Sequence, residues 1–348
     1  MKKEAYLYET IGENKVHCYL CAHECRIADS KYGACRIRHN EGGRLMTLVY
    51  GRAISAGVDP IEKKPLYHFL PGSTAYSIAT IGCNFRCSFC QNWQISQFEL
   101  ENEENIPGND LAPEQVVEQA RAHGCESIGY TYTEPTIFFE YAYDTARLAH
   151  EAGLANIFVT NGYMTRQAID MIRPCLDAAN IDLKSYSDAY YKRVCRARLQ
   201  PVLNSIAYMK EAGIWLEVTT LVVPGENDSA EELNQIAEYI SGVSRDIPWH
   251  ISRFYPSYEF PDHPPTPLET LERAREIGKK NGLRYVYLGN IGAEADTHCP
   301  QCNELLVARR AGRISHNQIS SGVCPKCGAS ISGVWERGGV VTSTSKAE

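Results

Sequence analysis

Short β-branched segments alternate with longer amphipathic segments between Ala75 and Ile291, and no other feature of the sequence limits the fold as strongly. Alternation of this kind is typical of βα units, in which neighbouring strands run parallel. The pattern therefore predicts an α/β fold with a partial (β/α)6 barrel of the TIM type. The strand candidates cover residues 75–82, 127–134, 156–162, 180–185, 215–223, 249–254 and 283–290, and two clear helix candidates cover residues 113–124 and 230–242.

Polar or special residues follow most of these strand candidates. In parallel α/β barrels the carboxyl ends of the strands form one face, and the active site lies there. We therefore expect these residues to converge, although a strand must end in something polar in any case. The residues are Gly82–Cys83, Thr133–Glu134, Thr160–Asn161–Gly162, Asp182 and Lys184, Arg253, and Gly289–Asn290.

The first of these strand ends opens a cysteine loop with the spacing C-x3-C-x2-C, formed by Cys83, Cys87 and Cys90. Four cysteines close a [4Fe–4S] cluster, whereas three leave one iron open for a cofactor or substrate. A structural zinc site would need a fourth ligand. A catalytic zinc with three thiolates, as in some deaminases, is the alternative, but the H-x-E and P-C-x-x-C signature of those enzymes is missing from the sequence. The loop therefore predicts an iron–sulfur cluster with one open iron.

The loop, with Phe89 as the aromatic residue before its last cysteine, resembles the signature of radical S-adenosylmethionine (SAM) enzymes. More closely, the chain resembles the branch that includes glycyl-radical enzyme activases such as those of pyruvate formate-lyase, and within it the AmmeMemoRadiSam-system enzymes. The resemblance covers roughly residues 15–330. It is carried by residues 59–73, 77–97, 130–141, 180–186, 222–228, 250–256 and 287–291.

The resemblance implies that SAM binds the open iron through its amino and carboxylate groups. Reductive cleavage would then give methionine and a 5′-deoxyadenosyl radical that abstracts hydrogen from a substrate. In this family an acid in the position of Glu134, beside Thr133, holds the SAM amino group. Asn161 would contact the ribose, although Val159 stands where many activases have Asp.

Further contacts complete this expected SAM site. The family places residues at the positions of Asp182 and Lys184 beside SAM, with the cation near its carboxylate. Arg253 is a candidate for a carboxylate of SAM or substrate, while Gly289 and Asn290 could approach adenine through backbone groups. Structural alternatives remain: a helix N-cap for Glu134, a turn at Asn161 and a salt bridge for Asp182 and Lys184. The charged run at 59–68 fits a solvated loop or a substrate-gating loop equally well.

Two further cysteine sets flank the predicted barrel. The C-terminal set, Cys299, Cys302, Cys324 and Cys327, forms two C-P-x-C knuckles and predicts a zinc ribbon, with a rubredoxin-like iron as the alternative. The N-terminal set, Cys18, Cys21, Cys25 and Cys35, has the spacing C-x2-C-x3-C-x9-C. Zinc is the first expectation there, with His17 or His23 able to replace a thiolate. A second iron–sulfur cluster that feeds electrons to the SAM cluster is the alternative.

These features predict an N-terminal cysteine-rich metal module (1–74), a radical SAM partial barrel (75–294) and a C-terminal zinc-ribbon or rubredoxin-like module with a tail (295–348). The fourteen cysteines occur mostly in clusters, and a disulfide interpretation would need secretion, for which the sequence has no signal. A cytoplasmic protein without a membrane segment is expected. The net charge of −7 argues against a nucleic-acid surface.

The expected function is that of a radical SAM enzyme that uses the three-cysteine [4Fe–4S] cluster. Its substrate is unidentified, and one hypothesis is a small molecule or a modified side chain handled with AMMECR-type and Memo-like partner proteins. One alternative is a glycyl-radical activase acting on a protein glycine, and another is a non-enzymatic zinc and iron–sulfur scaffold. An electron donor such as flavodoxin or ferredoxin would supply the reducing electron.

Overall fold

A sheet of eight strands forms the centre of the computed structural model, which describes residues 2–98, 105–292, 295–310, 312–337 and 339–341. Seven of its strands are parallel and lie side by side in chain order, which confirms the predicted parallel sheet. These strands are Thr74–Ala79, Ser127–Tyr130, Ala155–Thr160, Ala178–Asp182, Trp215–Val222, Trp249–Arg253 and Val286–Gly289.

Helices connect these strands, as the alternating pattern predicts. The predicted helix at 230–242 is observed as Ala230–Val243, and it begins where the Ser229 hydroxyl accepts a hydrogen bond from Glu232 N at 3.1 Å. The main helices are Pro113–Ala122, Phe139–Glu151, Arg166–Ile172, Leu199–Glu211, Ala230–Val243 and Leu268–Lys280. Shorter helical turns are Ile61–Lys63, Trp93–Ser96, Pro135–Phe138, Arg173–Cys175, Asp188–Tyr190 and Tyr191–Cys195.

The register of the parallel strands brings their carboxyl ends to one edge. Thr160 lies opposite Ile181, and Asp182 lies opposite Thr219. The residues that follow these strands therefore face a common space, although they are distant in sequence.

The N-terminal segment packs onto the sheet and onto the helix Phe139–Glu151. Its small strands are Lys3–Glu4, Tyr8–Thr10, Val16–Cys18, Cys25–Ile27, Arg38–Glu41, Arg44–Thr47 and Arg52–Ala53, the last of which pairs with Asn109–Asp110. Glu140, which is fully buried, accepts hydrogen bonds from Tyr6 N at 2.6 Å and from the Arg38 guanidinium. The strand Ser55–Pro60, which falls in the predicted N-terminal module, pairs antiparallel with the first parallel strand.

The C-terminal segment lies against the amino ends of the strands, away from the edge described above. Its strands are Thr297–His298, Leu305–Arg310, Arg313–Asn317, Gly333–Glu336 and Gly339–Val341. Backbone hydrogen bonds of 2.7 Å join Val334 to His68 and to Leu70. The described helices are all too short or too polar to cross a membrane.

Candidate active site

A cavity of about 420 Å³ opens at the carboxyl ends of the parallel strands. This is the face on which α/β folds of this kind place their active sites. Most of the predicted site residues meet there: Cys83, Cys87, Phe89, Cys90, Thr133, Glu134, Asn161, Asp182, Lys184 and Asn290 all line the cavity.

The cysteine loop is held rigidly at this edge. Gly82, just before Cys83, has φ +95°, and a Cβ there would lie 3.0 Å from Ile37 Cγ2, so the turn favours glycine. Backbone hydrogen bonds from Arg86 N to Cys195 O (2.9 Å) and from Ser88 N to Val194 O (3.1 Å) hold the middle of the loop.

The spacing of the loop's thiols differs from that of a compact single-ion site. In a single-ion site, three or more ligand atoms from His, Cys, Asp or Glu lie close to one another. Among the described residues, only the C-terminal cysteines have ligand atoms that are all within 4.8 Å of one another. Cys83, Cys87 and Cys90 all line the same cavity, and at least one pair of their sulfur atoms lies more than 4.8 Å apart. Thiolates that bind separate irons of a cube need this wider spacing, because each iron occupies its own corner.

Glu134 is buried and accepts hydrogen bonds from four donors. Its Oε1 accepts from Thr136 N (3.0 Å), Thr136 Oγ1 (2.5 Å) and Thr160 Oγ1 (2.7 Å). Its Oε2 accepts from Asn161 N at 2.8 Å. Burial raises the pKa of Glu134, although these donors act in the opposite direction. The carboxylate thus caps the short helix Pro135–Phe138, while Oε2 keeps the capacity to accept a second donor.

Asp182 and Lys184 form an ion pair at the end of the fourth parallel strand. Lys184 Nζ lies 2.9 Å from Asp182 Oδ2 and 5.7 Å from the centroid of the Phe89 ring. Burial acts against the charged lysine, but the negative charges of Asp182 and Cys87 hold the pKa of Lys184 well above its usual value. Lys184 therefore stays protonated beside the cysteine loop, with Asp182 as its counter-ion.

Two residues predicted from the sequence, Arg253 and Gly289, are not among the described residues that line the cavity. The Arg253 Nε donates to Thr266 O at 2.8 Å, and a Cβ on Gly289 would meet Ser252 Oγ at 3.0 Å. His250 lies deeper in the sheet, where its Nε2 is 2.6 Å from the buried Glu217.

The cavity is also lined by residues that were not among the predicted SAM contacts. Lys63 and Lys64, from the charged run at 59–68, and Tyr132 all line it. Asp59 binds both lysines at 2.7 Å and accepts a hydrogen bond from the Tyr132 hydroxyl. Burial lowers the pKa of Lys64 to about 8 against the opposing effect of Asp59. The run is therefore part of the cavity wall, and only the density of its charges and prolines could have indicated this.

The C-terminal cysteines form a compact four-thiol site. Cys299 and Cys327 Sγ are 3.6 Å apart, and Cys302 and Cys324 Sγ are 3.7 Å apart. A tetrahedral ion with metal–sulfur bonds of about 2.3 Å needs sulfur atoms roughly 3.8 Å apart. The set can therefore hold one metal ion. All fourteen cysteines are free thiols.

Comparison with known proteins agrees with this geometry. The family model described as the radical SAM superfamily matches residues 77–240, which include the cysteine loop, Glu134, Asn161 and Lys184. The chain therefore contains a radical SAM superfamily domain. As a radical SAM protein it is expected to use an iron–sulfur cluster and SAM.

Relatives of this radical SAM protein are found in Methanocaldococcus jannaschii. The chain is 43% identical to the uncharacterized protein MJ0808 over 334 residues, covering 94% of this chain and 98% of the relative. It is 24% identical to the putative glycyl-radical enzyme activating enzyme MJ1632 over 233 residues, covering 64% of this chain and 82% of that protein. The crystal structure of Streptococcus suis SuiB bound to S-adenosylmethionine matches with a TM-score of 0.50 and 13% identity, covering 66% of this chain and 53% of that one. This last similarity shows the fold alone.

Proposed function

We propose that this protein binds a [4Fe–4S] cluster through Cys83, Cys87 and Cys90 and cleaves SAM reductively to start a hydrogen abstraction. The observation that carries the proposal is the convergence of these three thiols with Glu134 and Lys184 on one cavity. When bound, the reduced cluster supplies the electron that breaks a C–S bond of the SAM sulfonium.

The chain's own residues would orient SAM by charge and hydrogen bonding. Glu134 Oε2 is fixed by Asn161 N, so it can accept a hydrogen bond from the SAM ammonium without losing its place. Lys184 is fixed by Asp182 and offers its charge to the SAM carboxylate. Thr133, Asn161 and Asn290 supply polar groups to the same cavity, and we assign them to the ribose and adenine.

A direct SAM contact of Arg253 or Gly289 finds no support in the cavity. The Arg253 guanidinium also lies 5.2 Å from the centroid of the Tyr255 ring, and we propose that it shapes the rim. Lys63 and Lys64 contribute positive charge to the wall, which fits the substrate-gating interpretation of the run at 59–68.

We propose a small molecule or modified side chain as the substrate, in a system with AMMECR-type and Memo-like partners. A flavodoxin or ferredoxin would supply the electron. We place both proteins in a reducing cytoplasm, a setting in which cysteines stay free thiols, as they are in this structure. The alternative of a glycyl-radical activase is supported by the similarity to MJ1632. The convergence of Glu134, Asp182 and Lys184 on the cysteine cavity argues against a non-enzymatic scaffold.

The finer architecture is also proposed. We propose that the parallel sheet, whose seven strands follow one another in chain order, curves into a partial (β/α)6 barrel. We propose zinc as the ion at the C-terminal cysteines, in a zinc-ribbon module that begins near residue 295, because their sulfur spacing fits a tetrahedral zinc.

Electron paramagnetic resonance (EPR) tests this function. SAM added to the anaerobically reduced protein should change the signal of the open cluster, because SAM becomes a ligand of one iron. A Lys184→Met variant should need a higher SAM concentration for the same change. A complete cluster whose EPR signal does not change when SAM is added would contradict the proposal. A glycine-centred protein radical formed only with a partner protein would favour the activase alternative.

A further inference from the structure

The four N-terminal cysteines line a second, smaller cavity on the other side of the cysteine loop. Cys18 and Cys25 are opposite one another in adjacent antiparallel strands, and Cys21 and Cys35 complete the lining. The remaining wall is apolar except for Arg38, and includes Leu20, Ile27 and Ile137. The sequence brings four thiols together here in a largely apolar setting.

The spacing of these four thiols differs from that of the C-terminal single-ion site. Sulfur atoms that share one zinc lie roughly 3.8 Å apart, as the C-terminal pairs at 3.6 and 3.7 Å do. No three of the N-terminal thiols, all within the part of the chain that the structure describes, meet the 4.8 Å spacing of the C-terminal site. Their sulfur atoms are therefore not grouped as closely as those of the C-terminal site.

Histidine does not complete a zinc site in this cavity. His23 Nε2 lies 2.8 Å from Asn84 O, and His17 Nδ1 lies 3.0 Å from Glu9 Oε1. Neither histidine is one of the described residues that line this cavity. The ligand set is therefore four thiolates, which closes a [4Fe–4S] cluster.

Arg38 provides the charge that such a cluster needs. Only 2% of its surface is exposed, and its Nη1 donates to Cys18 Sγ at 3.4 Å. Its Nε is buried without a hydrogen-bond partner in the structure, while the same residue lines the cavity. A buried donor without a partner is costly, and a cluster with its sulfide and thiolate sulfurs would supply an acceptor.

We propose that Cys18, Cys21, Cys25 and Cys35 bind a second, fully ligated [4Fe–4S] cluster that passes electrons to the open cluster. The site itself follows from the N-terminal geometry, whereas the electron transfer rests on the proposed function. An external one-electron donor of the flavodoxin or ferredoxin class reduces the second cluster. That cluster returns to its oxidised state when it gives the electron to the open cluster, so no further reactant is needed.

The two sites are separated by little more than one layer of residues. The position of a Cβ on Gly82, the residue before Cys83, is 3.5 Å from Cys35 O and 3.6 Å from Ile137 Cδ1. Ile137 also lines the N-terminal cavity. The hydrogen bond between His23 and Asn84 O joins the two cysteine loops directly. Two clusters at these positions would be close enough to exchange electrons.

Metal analysis and EPR of the full-length protein test the site. After anaerobic reconstitution the wild type should hold about eight irons and eight sulfides, two cubes of four. A variant with Cys83, Cys87 and Cys90 all replaced by Ala should keep about four irons and show a reduced signal that SAM does not change. A wild type with about four irons and two zinc ions would overturn the proposal, as would an iron-free triple variant that is folded by circular dichroism.

A second variant keeps the test decisive if the triple variant does not fold. The Cys21→Ser/Cys35→Ser variant should lose about four irons and keep the SAM-sensitive signal. For the electron transfer, the spectrum of the fully reduced wild type should show spin–spin broadening that the sum of the two variants lacks. A wild-type spectrum equal to that sum would overturn the relay. Eight irons without any response to SAM would refute the proposed function but not this site.

Discussion

Replacement of Glu134 by Gln tests whether Glu134 binds SAM or only caps a helix. The amide can keep one oxygen for Thr136 and Thr160, but its NH2 group then faces Asn161 N, which donates to Oε2 at 2.8 Å in the wild type. A buried donor left without an acceptor costs about 1–3 kcal/mol. We therefore expect Glu134→Gln to lower the free energy of unfolding by about 2 kcal/mol.

A larger effect is expected on SAM binding. A hydrogen bond to a charged group contributes about 1.5–3 kcal/mol, which corresponds to a roughly 10- to 100-fold change in dissociation constant. The assay is an anaerobic SAM titration of the reduced cluster followed by EPR, together with urea unfolding of the same preparation.

Thr136→Ala is the matched control for this experiment. Thr136 donates to Glu134 Oε1 through its hydroxyl but is not among the described residues that line the cavity. It should lose stability, by about 1 kcal/mol, and bind SAM nearly as the wild type does. If Glu134→Gln is destabilised but binds SAM with wild-type affinity, Glu134 is only a cap and its assignment to the SAM ammonium is refuted.

Three further predictions concern charge, pH and metal. Lys184→Met should weaken SAM binding about tenfold in the same titration. Lys184→Arg, which keeps the positive charge, should bind SAM more tightly than Lys184→Met. Equal SAM binding by the wild type and Lys184→Met would contradict the role of Lys184 in holding the SAM carboxylate. His68 is fully buried, and burial lowers its pKa to about 4 from 6.5, so its contribution to stability is complete above pH 6.5 and is lost as the pH falls towards 4. Urea unfolding should therefore show about 2 kcal/mol less stability at pH 5 than at pH 7 from this residue, and a His68→Gln variant with the same pH slope would count against it. Cys324→Ser should lose one metal ion per chain, and its C-terminal segment should unfold at a lower denaturant concentration. Cys125→Ser, whose cysteine lies outside every cysteine set, should keep the full metal content. Mass spectrometry measures the metal content of both variants.

The sequence predicts the sheet well because its strands and helices have different periods. The strands carry buried β-branched residues and the helices have apolar residues on one face, so local pattern places the seven parallel strands and two of the six main helices. The helix Pro113–Ala122 illustrates this, since Pro113 begins it and Gly124, with φ +65°, follows its end.

The candidate site is predictable only in part. Strand ends identify Glu134 and Lys184, because parallel strands bring their carboxyl ends together. The direction of a side chain beyond the strand depends on partners elsewhere in the chain, and Arg253 turns to Thr266 for this reason. Lys64 enters the cavity wall through its contact with Asp59, which sequence spacing does not reveal.

The arrangement of the sulfur atoms at the two outer cysteine sets also cannot be predicted from the sequence. The N-terminal and C-terminal cysteine sets each offer four thiols, and their sequence spacing permits zinc in both. The spacing of the sulfur atoms differs between them: Cys299 and Cys327 lie as close as the ligands of one ion do, whereas no three N-terminal sulfur atoms are all within 4.8 Å of one another.

The most direct test of the central claim is the formation of 5′-deoxyadenosine from SAM. The protein would be reconstituted anaerobically with iron and sulfide, reduced with dithionite and assayed by mass spectrometry, with Cys87→Ala as the control. We predict that the wild type produces 5′-deoxyadenosine and methionine in equal amounts, and that the variant produces neither. If the wild type forms a complete, SAM-responsive cluster but no 5′-deoxyadenosine, even with the AMMECR-type and Memo-like partners present, the claim of radical SAM chemistry at this cavity is wrong.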